Sequence, residues 1–217
     1  MFSAIILGGG SGQRMRLGYN KVLYKIKGLT VIEHAAKAFI EDPDFQEVIV
    51  VMNRDDFDQV NVLFHQSKVK VVKGGNTRQE SVFIGLKHLA QHDYVMIHDG
   101  ARPNPSKTSI EALKHEVLKH PAILFTPSKD SLVLNNQGKI DRYLNREEVA
   151  CIKTPQAFKT EDIIQAYHLA KDHQHTYKDD ASVLMHELKQ DIYLVKDDES
   201  NIKLTTRFDL RVMEELL

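Results

Sequence analysis

A chain of 217 residues is long enough for one α/β domain with a sizeable core. Lys plus Arg total 29 and Asp plus Glu 30, so the charge is near neutral, which argues against a general nucleic-acid binder. A single cysteine, Cys151, rules out an intramolecular disulfide framework and fits a reducing compartment. With no basic leader pattern and no apolar run of membrane-spanning length, the expectation is a cytoplasmic protein with no membrane partner.

The chain opens on a short buried-strand pattern, Ala4-Ile5-Ile6-Leu7, that runs into Gly8-Gly9-Gly10-Ser11-Gly12, then Arg14 and Lys21. Glycines let backbone approach a ligand, and successive inward amides form an anion cradle. With two cations added, the loop suits a polyphosphate. It is not a Walker A loop, because no Lys follows Gly12, nor a dinucleotide fingerprint, because Gln13 stands where the third Gly belongs. A tight turn without a ligand is the alternative.

Thr30 and Glu33 then read as a capping box, ahead of an apolar stripe of Ile32, Ala36, Phe39 and Ile40. Runs at 47–52 and 69–72 read as strands. After the second comes a polar glycine loop, residues 73–81. Thr77 and Glu80 repeat the capping signature before Val82, Leu86 and Leu89. A strand at 94–97 leads to His98-Asp99-Gly100-Ala101-Arg102-Pro103. A stripe of Ile110, Leu113 and Val117 precedes a strand at 122–125. Residues 131–144 read as a hairpin with an Asn/Gly turn. A last stripe, Ile163, Ala166, Tyr167 and Ala170, precedes a strand at 192–195. The alternation predicts an α/β fold with a mainly parallel sheet. The hairpin either joins the sheet edge or projects as an arm against another subunit.

Ligands of such sheets sit beyond the carboxyl ends of the strands. Three strand-end loops bring glycine and charge to that rim. Asp99 suits a hard cation, since magnesium in phosphate sites takes one or two carboxylates plus phosphates. It also suits a turn cap. Gly75, Arg78 and Ser81 present amide, guanidinium and hydroxyl groups to a base, or else Thr77 and Ser81 are local caps. His88 and His92 are spaced i, i+4 without an evident third zinc ligand. His98 reads as a buried strand residue. Cys151 has no catalytic context, and no G-x-S-x-G elbow appears.

With these residues assembled, the chain resembles the 2-C-methyl-D-erythritol 4-phosphate cytidylyltransferases. The match runs through the glycine loop at 8–15 and Lys21, Gly-Gly-x-x-Arg-x-x-Ser at 74–81 and His-Asp-x-Ala-Arg-Pro at 98–103. It continues through Thr-Pro-Gln-x-Phe at 154–158, Asp-Asp-Ala-Ser at 179–182 and Asn-Ile-Lys-x-Thr at 201–205. The resemblance implies a single Rossmann-like nucleotidyltransferase domain over 1–217, with 131–150 as a dimerisation arm. It implies transfer of CMP from CTP to the polyol phosphate, with Mg²⁺ as cofactor. Arg14, Lys21, Arg146 and Lys203 would act in catalysis, and Asp99 would bind the metal. Leu7, Gly8, Gly9, Gly10, Gly75, Arg78, Ser81, Gly100, Arg102, Ser131 and Thr154 would contact substrates. Arg102, Arg146 and Lys203 would hold the polyol phosphate, Arg146 reaching across the dimer. Departures are Leu-Gly-Gly-Gly for Pro-Ala-Ala-Gly, Asn20 for Pro, Ser131 for Thr, and an altered stretch at 149–153. A glycine-rich first loop also resembles ribitol 5-phosphate cytidylyltransferases. A non-catalytic nucleotide-binding subunit is the reading from another class, and it would be expected to have lost the cations.

Overall fold

Why the centre of the sheet is buried on both faces follows from its parallel strands, which are continuous apolar runs rather than alternating ones. In this computed structural model, which describes residues 1–10, 15, 18–90 and 93–217, the first strand is β1 (Phe2–Leu7). A short antiparallel pair, β2 (Lys25–Ile26) and β3 (Leu29–Thr30), leads into α1 (Val31–Glu41). Then come β4 (Phe45–Met52), α2 (Phe57–Asn61), β5 (Val69–Lys73) and α3 (Arg78–Lys87). β6 (Tyr94–Asp99), α4 (Lys107–Val117) and β7 (Ala122–Pro127) follow. β8 (Leu132–Asn136), β9 (Lys139–Leu144), β10 (Ala150–Lys159), α5 (Thr160–Asp172), α6 (Asp180–Glu187), β11 (Tyr193–Lys196) and α7 (Arg207–Leu216) complete the chain.

Seven strands form the main sheet in the order β11-β7-β10-β6-β1-β4-β5. All neighbours are parallel except β10, which runs antiparallel to both β6 and β7. The expected mainly parallel α/β fold is therefore present, with one reversed strand in its interior. Successive side chains of β1 and β4 serve opposite cores. Ala4, Ile6, Val48, Val50 and Met52 pack with α1, α4 and α7, while Ile5, Ile49 and Val51 pack with α3, α5 and α6.

The expected cap at Thr30 is a complete capping box with Glu33. At Thr77 half of it forms: Thr77 Oγ1 accepts from Glu80 N, but the Glu80 carboxylate turns to Asn76 N at 2.8 Å. β8 and β9 form a separate two-stranded sheet, paired with no strand of the main one. Gln137 and Gly138 turn it at φ 50° and 86°, left-handed values that a two-residue hairpin loop needs. Val133, Leu134, Ile140 and Tyr143 are exposed on it.

Candidate active site

The glycine-bearing loops after β1, β5 and β6 meet at one rim, as their strand ends require. Gly8 N donates to Val51 O at 2.8 Å, Gly74 N to Met52 O at 2.7 Å and Gly100 N to Leu7 O at 2.9 Å. Beyond them lies a cavity of about 550 Å³. Of the residues singled out from sequence, Leu7, Gly9, Gly10, Lys21, Gly75, Arg78, Ser81, Asp99 and Lys203 line it. Asn76, Thr77, Ala101 and Thr205 line it too, and sequence reasoning did not assign them to it.

Asp99 is its electrostatic centre. Lys203 Nζ lies 2.7 Å from Oδ2, Arg78 Nε 3.6 Å from Oδ1 and Arg102 Nε 3.9 Å from Oδ2. Burial raises the Asp99 carboxyl, but Arg78, Lys203 and Arg102 outweigh it and hold it below the usual carboxylate range. Arg78 also forks onto Asp180 at 2.9 and 2.7 Å, and Asp180 accepts from Tyr167 Oη at 2.6 Å. Burial alone would ease the proton from Arg78; Asp180 more than offsets it, so the guanidinium stays charged. Gln156 fixes the start of α6, donating to Asp179 Oδ2 and accepting from Ala181 N, both at 3.0 Å. Tyr167 had read only as a core residue of α5. Its hydroxyl and the buried Asp180 are the parts of this web that one-dimensional spacing hides.

Two local folds deliver the lysines. Asn20 caps the short 3₁₀ turn Lys21–Leu23 and donates to Gly8 O at 2.7 Å and Asp56 Oδ2 at 2.8 Å. Where relatives' pattern has Pro, this chain thus ties the lysine turn to the glycine loop through a side-chain amide. Lys21 Nζ donates to Leu204 O at 2.5 Å. On the other side, Asn201 is buried and donates to Thr154 O at 2.9 Å and Asp197 Oδ2 at 2.7 Å. Anchoring Asn201 and Leu204 inward leaves Lys203 and Thr205 facing the cavity.

Thr154 and Arg102 act from behind the rim. Asp99 N donates to Thr154 Oγ1 at 3.0 Å, and Thr154 Oγ1 lies 3.1 Å from His98 Nδ1. His98 Nε2 faces the Arg102 carbonyl at 2.9 Å. A carbonyl only accepts, so Nε2 carries the proton and Nδ1 accepts from Thr154. Burial pushes His98 down to about 4, against the Arg102 carbonyl and Asp99. His98 is the buried strand residue expected. Arg102 Nη1 donates to Asn201 O at 3.0 Å.

Gly100 serves packing. A Cβ there would stand 2.3 Å from Ile32 Cδ1 and 2.9 Å from Leu7 O, so only glycine lets β6 leave the sheet against β1. Gly8 likewise is buried behind the cavity wall. The Ser81 hydroxyl donates to Thr77 O and accepts from Gly75 N. Ser131 and Arg146 lie exposed at the base of the hairpin and do not line this cavity. Arg14 lies outside the described residues, as does His92 of the His88 pair. Cys151 is a free, exposed thiol. Among the described residues, no helix is long and apolar enough to cross a membrane.

A mainly parallel sheet whose strand-end loops gather lysines, a guanidinium and one carboxylate around a glycine loop has the architecture of a nucleotidyltransferase. The family model for 2-C-methyl-D-erythritol 4-phosphate cytidylyltransferase matches residues 2–217, and the chain belongs to that family. It is 36% identical over 221 residues to the cytidylyltransferase of that name from Halalkalibacterium halodurans, covering 100% of this chain and 96% of the relative. The Bacillus pumilus enzyme of the same name is 34% identical with the same coverage. The crystal structure of 4-diphosphocytidyl-2C-methyl-D-erythritol synthase from Anaerococcus prevotii superposes with a TM-score of 0.87 at 30% identity, over 100% of this chain and 95% of that one. The chain is accordingly a cytidylyltransferase of isoprenoid biosynthesis acting on methylerythritol phosphate. Neither the ribitol phosphate reading nor the non-catalytic one is favoured.

Proposed function

We propose that CMP transfer from CTP to 2-C-methyl-D-erythritol 4-phosphate takes place in the cavity at the β1–β5–β6 rim. The observation behind this reading is the convergence of Lys21, Arg78 and Lys203 with Asp99 on one glycine-lined space. The attacking group is a phosphate monoester with a second pKa of about 6, so it arrives ionised and needs no general base. Rate then rests on alignment and on neutralising charge at the α-phosphate. Lys21, held at its root by the Asn20 cap, supplies positive charge there, with Arg14 as its companion. Gly75, Asn76 and Arg78 form the wall for cytosine and ribose. Because Asp180 and Asp99 pin it from two sides, Arg78 serves as a fixed donor rather than a swinging one. Lys203 faces the polyol phosphate, and Arg102 supports that side from behind the rim through Asp99 and the Asn201 carbonyl.

Asp99 suits Mg²⁺ as a single carboxylate. Among the described residues it belongs to no cluster of His, Cys, Asp or Glu, so the other ligands would be CTP phosphates and water. Bound there, the ion would supply charge neutralisation on the triphosphate. Lys203 now occupies Oδ2 and would pass to a phosphate when substrate enters.

A homodimer through the hairpin completes the reading, with a cytoplasmic site of action. The exposed Val133, Leu134, Ile140 and Tyr143 call for cover, and Ser131 and Arg146 would reach the partner's acceptor site. The test is pyrophosphate release with CTP and Mg²⁺ on methylerythritol phosphate against ribitol 5-phosphate. Preference for the first is expected, and equal or reversed preference would sink the acceptor assignment. Lys21→Ala should lower kcat by at least about 100-fold with little change in CTP affinity. A near-normal kcat would remove Lys21 from its role.

A further inference from the structure

Far along the chain from the catalytic loops, the link between α5 and α6 gathers metal-binding side chains that the transfer reaction does not use. His173 follows the last residue of α5, His175 comes two residues later, and Glu187 closes α6. The Glu187 side chain is only 3% exposed, and each of its oxygens meets an imidazole. His173 Nδ1 is 2.8 Å from Oε2, and His175 Nδ1 is 2.9 Å from Oε1. Tyr177 Oη donates to Oε1 at 2.6 Å. One ligand atom from each of the three residues lies within 4.8 Å of the others. Both imidazoles are more than half exposed, so an ion reaches them from solvent.

The other comparable cluster among the described residues, Asp42, Asp44 and Glu111, offers a contrast. It already surrounds a cation, the Lys114 ammonium, at 2.5, 2.8 and 2.8 Å. No lysine or arginine is paired with Glu187 among the described residues; its ion-pair partners are the two imidazoles.

We propose that His173, His175 and Glu187 form a Zn²⁺ site on the α5–α6 link. Two imidazoles and a carboxylate are a three-ligand set that zinc accepts, with water in the fourth position. Imidazole nitrogen also selects zinc over Mg²⁺. Each ring now shares a hydrogen with Glu187. To hold the ion, each ring would free Nδ1, by tautomer shift to Nε2–H if neutral or by releasing the Nδ1 proton to water if charged, leaving two imidazole nitrogens and one Glu187 oxygen as ligands. Tyr177 remains on Oε1 and orients the carboxylate from outside the metal shell.

The site would brace the nucleotide side of the cavity. Gln79, the neighbour of Arg78, donates from Nε2 to His175 O and accepts from Tyr177 N, both at 2.9 Å. The metal loop is thus clamped to the residue next to Arg78, and it runs directly into Asp179 and Asp180.

Chelator-treated protein, titrated with Zn²⁺ or Co²⁺ in excess Mg²⁺, tests this. One equivalent should bind per chain, Co²⁺ should give the visible absorption of a four-coordinate nitrogen–oxygen site, and Zn²⁺ should raise the Tm by several degrees. A His173→Ala/His175→Ala protein with wild-type circular dichroism should lose all three signals. Unchanged stoichiometry and spectrum in that variant would place the ion on other histidines and overturn the proposal, as would no stoichiometric binding by the wild type. If the double variant folds poorly, Glu187→Gln decides between the outcomes, because its amide oxygen still accepts from Tyr177. At least a tenfold loss of Zn²⁺ affinity is expected, and an unchanged affinity refutes the site.

Discussion

Replacing Asp180 by Asn tests whether the floor under Arg78 acts through its charge or through packing alone. The side chain is fully buried and takes three donors: two from Arg78 and one from Tyr167. Asn keeps one oxygen, enough for Tyr167 and one guanidinium nitrogen. It turns an NH₂ toward the other, so one charge-assisted bond is lost and two donors face each other. A bond to a charged group is worth about 1.5–3 kcal/mol. Because the Arg78 side chain is 33% exposed, water recovers part of that, and a value in the lower half of the range, about 2 kcal/mol, applies. For a chain of this length that corresponds to a fall in Tm of about 4–8 °C. Arg78 would keep Asp99, 3.6 Å away, as its one carboxylate partner and lean toward it, so the KM for CTP should rise more than kcat falls. Calorimetry and initial-rate kinetics on the purified variant measure both. A Tm within about 1 °C of wild type, with unchanged KM for CTP, would show that the fork contributes nothing and that the wall does not depend on α6.

His98 should make stability fall in mild acid. Its folded value of about 4 lies below the ordinary 6.5, so the unfolded chain takes up a proton that the folded chain refuses. Its contribution is present above pH 6.5 and drains away as pH falls toward 4, by up to about 3 kcal/mol. Urea denaturation at pH 7 and pH 4.5 should show a shallower loss in His98→Gln than in wild type; parallel losses would contradict the buried neutral ring. Gly100→Ala should cost about 1–3 kcal/mol and depress activity, since the new methyl would press on Leu7 O and Ile32; wild-type Tm and kcat would show that the rim yields freely. Ile140→Asp with Tyr143→Asp should convert a dimer to monomers by light scattering and raise the KM for the polyol phosphate. A monomeric wild type would remove the arm's proposed role.

Much of this was legible in one dimension. The β-branched runs that became β1, β4, β6 and β7 are largely unbroken because both faces are covered, whereas β5 and β11, at the two sheet edges, carry exposed residues; glycine loops mark where β1, β5 and β6 end. β10 was not legible, although its motif was. Ala150 to Lys159 contains Pro155, which argues against an interior strand. Here the proline falls in the gap between Ile152 and Gln156, where the ladder to β7 is irregular, so no ladder bond is asked of it. α6 and α7 were also missed as helices. α6 is short, and α7 mixes charged residues with apolar ones of which only Leu210 and Met213 are buried. Of the site, single residues with local signatures were found, such as Lys21, Arg78, Asp99 and Lys203. The contacts between them were not, since Arg78 reaches Asp180 across 102 positions and Lys203 reaches Asp99 across 104. Charge pairing at that separation leaves no periodicity to read.

The reversed strand has an implication for how this molecule could be altered. Chain leaving the top of β7 becomes the arm and returns as β10, so the arm leads straight into the strand that carries the threonine under Asp99. Between them the register slips: Ile152 pairs with Phe125, whereas Gln156 pairs with Ile123. Three residues on one side therefore oppose Leu124 alone on the other. That slack sits just before the part of β10 locked to β6 by the pairs from Gln156 to Lys159. An arm of other length or sequence could be spliced in at 132–144 while the lower half of the strand kept its seat. The arm's tip would then be free to drift or be redesigned, so long as Ser131 and Arg146 at its base kept their places and the new tip still paired with its partner.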